Sequence, residues 1–109
     1  MRSKPFFQTT TKNYKPRTRL EKQLVQSFVV LKSATETANF LRDLLTPAEI
    51  EEFSNRLEIA FLLRERKLSY VEIAERVGTS TTTVTRVAQW LFRGCGGYQT
   101  VLDRMKPAE

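Results

Sequence analysis

Histidine is absent from all 109 residues, which removes the commonest general base and the commonest metal ligand. A single cysteine, Cys95, has no internal disulfide partner and fits a reducing compartment; it reads as a loop residue. No apolar run is long enough to span a membrane, and the opening MRSKPFFQTTTKNYKPRTR lacks an apolar stretch of signal-peptide length. Glycine is scarce, and Gly94, Gly96 and Gly97 fall between helices, not after a strand, so no phosphate-cradling loop is present. Glu49, Glu51 and Glu52 crowd a helix start, where they favour its dipole better than they would form an acid–base pair. No enzymatic chemistry is supported, and neither a metal nor a cofactor is expected.

Acidic residues are also missing from the first 19 positions, which carry six bases: Arg2, Lys4, Lys12, Lys15, Arg17 and Arg19. The other residues hold twelve bases and twelve acids, so the whole net charge of +6 belongs to this arm. Pro5, Pro16 and the Gln-Thr-Thr-Thr stretch keep residues 1–19 from folding alone, which predicts a flexible basic arm. Such an arm adds phosphate contacts or reaches into a minor groove; a solubilising tail and an organelle-targeting sequence are the alternatives. The remainder, 20–106, has room for one domain, burying about two-thirds of its unfolded surface.

From Arg19 on, the pattern is helical throughout, about six helices with no strand alternation, which predicts an all-α fold. Leu20, Leu24, Phe28 and Leu31 form an apolar stripe that Val25, Val29 and Val30 widen. Residues 36–45 make a second helix with Phe40, Leu41, Leu44 and Leu45 apolar. Thr46-Pro47-Ala48-Glu49 then opens a long helix running to about Lys67. Its apolar residues cover more than half its circumference: Ile50, Phe53, Leu57 and Ala60 on one stripe, Ile59, Leu62 and Leu63 on another, Phe61 between them. A chain this short cannot wrap such a helix on all sides, so an intertwined homodimer is expected. The last helix sets Tyr98, Val101, Leu102 and Met105 on a packing stripe before Pro107 ends it.

Residues 69–92 carry the most specific pattern, two short helices joined by a glycine turn. Ser69 with Glu72 makes a capping box; Ile73, Ala74 and Val77 share a face; Gly78 supplies the turn. The second helix starts near Thr79–Ser80, pointing Val84, Val87 and Leu91 inward. Thr81, Thr82, Thr85, Arg86 and Gln89 point outward. The threonines among them are β-branched and poor helix formers, so this surface is not one chosen for helix stability. Short hydroxyls at a helix N-terminus meet base edges or thymine methyls in a major groove, and the free N–H groups there suit phosphate. Thr81, Thr82 and Thr85 are the candidates for base readout; Ser80, Arg86 and Gln89 are the candidates for backbone positioning.

The order of elements resembles the Trp repressor family over about Leu20 to Met105. The resemblance is most specific from Leu44 to Arg86: the Leu-Thr-Pro-x-Glu start, Arg56 in the helix that follows, and Thr83-Val84-Thr85-Arg86. The ending GYQTVLDRM looks more like a less-characterised Trp-repressor-like branch than the tryptophan-sensing one. The resemblance implies an intertwined all-helical dimer, operator binding and repression. It also implies an effector pocket in which Arg56 and Arg86 sandwich the ligand, with Thr46 and Thr83 nearby. Two positions depart from that pattern: Val87 stands where the tryptophan-sensing members have glycine, and Trp90 where they have a serine. Both share a helix face with Thr83, so the pocket is expected to be partly filled by the protein's own side chains, against tryptophan as corepressor. The plain reading of Trp90 is core packing, of Arg86 a phosphate contact, and of Arg56 an ion pair with Glu52. Val71 and Ala74 stand where those members carry basic residues.

These readings predict a cytoplasmic, dimeric, sequence-specific DNA-binding regulator, a repressor on a palindromic site, with double-stranded DNA and a second copy of itself as partners. No membrane contact is expected, and the identity of any effector is open. The alternative is an interaction module whose helix-turn-helix docks a protein.

Overall fold

The computed structural model describes residues 13–105, which contain six helices and no strand. These are α1 (Arg19–Val29), α2 (Ala34–Leu44), α3 (Pro47–Glu65), α4 (Tyr70–Val77), α5 (Thr81–Arg93) and α6 (Gly97–Arg104). The all-α fold expected from the sequence is the one observed. Most of the expected arm (1–12), and Pro107, lie outside the described residues; 13–17 are non-helical.

A hydroxyl side chain opens each of the first five helices. Thr18, Ser33, Ser69 and Ser80 sit at N-caps in extended conformation and accept from the N–H three residues on, at Glu21, Glu36, Glu72 and Thr83. Thr46 does the same for α3, its Oγ1 accepting from the Glu49 N–H at 3.1 Å while the Glu49 carboxylate accepts from the Thr46 N–H at 2.9 Å. Ser69 and Glu72 close a second reciprocal box. At α1 and α2 the glutamate reaches one residue further back, to the N–H of Arg17 and of Lys32. Four of the five caps therefore pair a hydroxyl with a glutamate three residues on; only α5 puts a threonine there.

Two boundaries differ from the sequence expectation. The second helix starts at Ala34, two residues early, because Ser33 caps it. The long helix stops at Glu65, short of Lys67, because Arg66 turns left-handed with φ 60° and breaks the ladder. The Arg66 guanidinium lies 5.9 Å from the centre of the Phe92 ring, a cation–π contact that helps hold this turn.

The chain divides into two compact units, one of Tyr14–Phe53 and one holding the described residues from Ser54 onward. The second unit contains the core: Ile59 to Leu63 of α3, Ile73 and Ala74 of α4, Val84, Val87, Ala88 and Leu91 of α5, and Leu102 of α6. Ile59, Ile73, Val84 and Leu102 are completely buried, and each such side chain contributes about 1.5–3 kcal/mol relative to exposure. Of the expected stripe on the last helix only Leu102 is deeply buried; Val101 and Met105 stay exposed. The Arg64 guanidinium donates to the Asp103 carboxylate and, at 3.1 Å, to the Leu102 carbonyl, tying the end of α6 to α3.

In the Tyr14–Phe53 unit no residue is buried, although α1 carries its apolar stripe as expected. Leu20 is 63% exposed, Val29 67% and Val30 57%. Inside the unit Phe28 packs edge-on to Phe40, centroids 5.4 Å apart.

Candidate nucleic-acid interface

The interface is built on α4 and α5. Gly78 joins them with φ 84° and ψ 42°, a left-handed conformation that glycine adopts without strain. The N–H groups of Gly78 and Thr79 both donate to the Ala74 carbonyl at 2.9 Å, closing the first helix before the chain turns. Ala74 is buried in the same core as Val84, so of the two residues standing at expected basic positions only Val71 reaches the surface.

Helix α5 presents the predicted outward set as one exposed face: Thr81, Thr82, Thr85, Arg86 and Gln89. Val84, Val87 and Leu91 are buried as expected, joined by Ala88, which completes the spacing of the inward stripe. Ser80 has its hydroxyl committed within the helix start, accepting from the Thr83 N–H at 3.2 Å and lying 3.2 Å from Thr83 Oγ1. Ser80 and Thr83 are thus engaged with each other, and Thr81 and Thr82 stand exposed beside them. No acid lies in the first turn of α5. The α5 N-terminus keeps its partial positive charge uncompensated, where α1 to α4 each place a glutamate in the first turn.

Beside this face the second unit carries an open cavity of about 430 Å³, lined by Arg56 of α3, Arg86, Val87 and Trp90 of α5, Cys95 of the following loop, and Gly97 and Tyr98 of α6. Four of the six expected effector-pocket residues therefore come together: Arg56, Arg86, Val87 and Trp90. Thr83 does not line the cavity, its hydroxyl turning to Ser80. Thr46 belongs to the other unit and caps α3. Cys95, Gly97 and Tyr98 join the lining outside the sequence expectation; they arrive only because the chain turns back after α5.

Trp90 is not core-packed, contrary to its plain sequence reading. It is 52% exposed and forms one wall of the cavity. It lies one helical turn beyond exposed Arg86, and the backbone passes close to it at Gly94, where a Cβ would lie 2.9 Å from Trp90 Cε3 and 2.3 Å from the Trp90 carbonyl oxygen. Only a residue without a side chain lets the backbone pass so close to the ring. Burial raises the Tyr98 phenol above its ordinary pKa, and the positive charge of Arg56 draws it partly back. Two guanidiniums and two aromatic rings around one cavity suit a small flat or anionic ligand better than any bond-making step. Among the described residues no cluster of acidic or thiol ligands could hold a metal ion, and no helix is long and apolar enough to cross a membrane.

Residues 20–106 match the Trp repressor protein family. The chain belongs to the Trp repressor family. It is 40% identical over 87 residues to the uncharacterized protein YerC of Bacillus subtilis (strain 168), a match covering 80% of this chain and 83% of YerC. It also resembles a solved TrpR-like protein from Eubacterium eligens, with a TM-score of 0.73 and 40% identity over 81% of this chain and 90% of the other. The Trp repressor fold is that of a DNA-binding regulator.

Proposed function

We propose that this Trp repressor family member is a sequence-specific transcriptional regulator that binds a palindromic operator as a homodimer and represses from it, in the cytoplasm. The observation that carries the reading is the acid-free start of α5. Every earlier helix neutralises its first turn with a glutamate, at a gain in helix stability. A carboxylate at that position in α5 would face DNA phosphates, and Thr83, paired with Ser80, stands there instead, which supports the reading. Thr81, Thr82 and Thr85 read base edges, while Arg86, Gln89 and Ser80 position the protein on the phosphate backbone.

The Tyr14–Phe53 unit supports the dimer. Forty residues that bury nothing do not fold alone; domains of this size need disulfides, metals or association, and the described residues offer neither of the first two. A second copy covering Leu20, Leu24 and Phe28 supplies the missing core, and twofold symmetry then asks for half-sites about one DNA turn apart. The test is recovery and sequencing of genomic fragments bound by the full-length protein at physiological salt. A palindrome with that spacing supports the reading, and binding without enrichment overturns sequence specificity.

A second reading, a protein-docking module, is favoured by the exposed Tyr70 and Val71 at the start of α4 and by Trp90. Salt separates the two: affinity for DNA falls steeply with ionic strength, and affinity through an apolar protein interface does not.

A further inference from the structure

No acid precedes Glu21 in the sequence, and its carboxylate is committed to the segment before it. Glu21 Oε1 accepts the Arg17 N–H at 2.8 Å and also the hydroxyl of Tyr14, seven residues upstream. The Glu21 N–H in turn donates to Thr18 Oγ1 at 3.0 Å. Residues 14–18 are therefore tied to the first turn of α1 without being helical. The bonds are charge-assisted, and the Tyr14 hydroxyl, then the Arg17 N–H, hold the Glu21 carboxyl below its ordinary pKa. Tyr14 is 59% exposed, so burial does not hold its ring there. Lys15, Arg17 and Arg19 are all exposed on or beside the tied segment, downstream of Arg2, Lys4 and Lys12.

We propose that Tyr14 and Glu21 form a latch that turns residues 14–19 from a tail into an ordered basic strap, which lies along DNA phosphates. Tyr14 and Glu21 are positioning residues; Lys15, Arg17 and Arg19 make the contacts. The inference rests on the DNA-binding reading above. A tail must be ordered when it binds, and that entropy is charged against its phosphate contacts; a strap already held in place avoids most of that cost. The latch also turns the Glu21 carboxylate onto internal donors, leaving the cations to face the polyanion.

The charge of Glu21 makes the proposal easy to break. Removing a carboxylate beside a DNA-binding surface tightens binding if only charge matters, whereas losing the latch weakens it. Full-length wild type, Tyr14→Phe, Glu21→Ala, Glu21→Gln and the triple variant Lys15→Ala/Arg17→Ala/Arg19→Ala are titrated onto an operator recovered from genomic fragments and onto a random duplex, across a salt series, with a thermal melt of each variant. Tyr14→Phe and Glu21→Ala are expected to bind about three- to ten-fold more weakly on both duplexes with shallower salt slopes. Glu21→Gln keeps an acceptor for both donors and is expected to match or exceed wild type. The triple variant flattens the slope of log K against log salt by about 0.9 for each phosphate it no longer neutralises. Tyr14→Phe indistinguishable from wild type, or Glu21→Ala binding more tightly, overturns the latch while leaving DNA binding intact. A wild type that binds neither duplex overturns both readings.

Discussion

Replacing Thr83 by glutamate separates the stability of α5 from its function. Ser80 already caps the helix, and the third helical position lacks only the carboxylate that would accept the Ser80 N–H. Thr83→Glu completes the box found at α3 and α4, adds a favourable charge at the positive helix end, and replaces a β-branched residue. Those gains are offset in part by removal of the hydroxyl pairing between Ser80 and Thr83, for a net stabilisation of about 0.5–1 kcal/mol, or roughly 2–6 °C in Tm. On DNA the sign reverses. A new carboxylate about 5 Å from a phosphate is repelled by roughly 1–3 kcal/mol, between the aqueous and the surface-protein dielectric limits. A dimer on two half-sites therefore loses at least about thirty-fold in affinity. Thermal melts followed by circular dichroism and operator titrations by fluorescence anisotropy at fixed salt read both effects. Thr83→Gln is the control, because it completes the box without the charge and should keep most of the stability at little cost in affinity. Wild-type affinity in Thr83→Glu would refute the argument, since α5 could not then point its first turn at phosphates.

Truncating Thr82 to alanine should weaken operator binding several-fold more than binding to random duplex; an equal loss on both would remove Thr82 from base readout. Isothermal calorimetry with tryptophan should show no saturable heat at micromolar ligand, because Val87 and Trp90 line the cavity together with Arg56 and Arg86 and take up its space; a saturable isotherm would mean they leave room for it. Gly94→Ala should cost at least about 2 kcal/mol in urea melts, given a Cβ only 2.3 Å from the Trp90 carbonyl, and an unchanged midpoint would show that the loop yields freely. The folded-state pKa of Glu21 is depressed, so its contribution to stability is present above its ordinary value of 4.5 and is lost as pH falls through the lowered one. Tyr14 is raised, so its share is present below 10 and is lost as pH climbs through the raised value; Tyr14→Phe should flatten the stability profile at both ends.

What the sequence made legible was whatever local chemistry decides. The caps at Thr46 and Ser69 and the glycine at the α4–α5 turn are written in residue types, because each satisfies backbone groups within a few positions. Ser33 with Glu36 spells the same signal, yet an apolar count alone places the start of α2 two residues late. The end of α3 was not legible, since Arg66 adopts a conformation that sequence reserves for glycine and has the Phe92 ring, 26 residues on, beside its guanidinium. The cavity was half legible. Arg56, Arg86, Val87 and Trp90 followed from resemblance, whereas Cys95, Gly97 and Tyr98 join only through the return of the chain after α5. Trp90 reads as core by residue type, yet it lies one turn beyond exposed Arg86 and is exposed with it.

The uncovered stripe on α1 also bears on dosage. If a second copy covers it, a large part of each chain acquires its structure only on pairing, and the thermal midpoint climbs with protein concentration. Below the pairing constant the active species scales with the square of the amount synthesised. A twofold change in expression would then approach a fourfold change in operator-competent molecules, giving a regulator of this size a threshold without any effector.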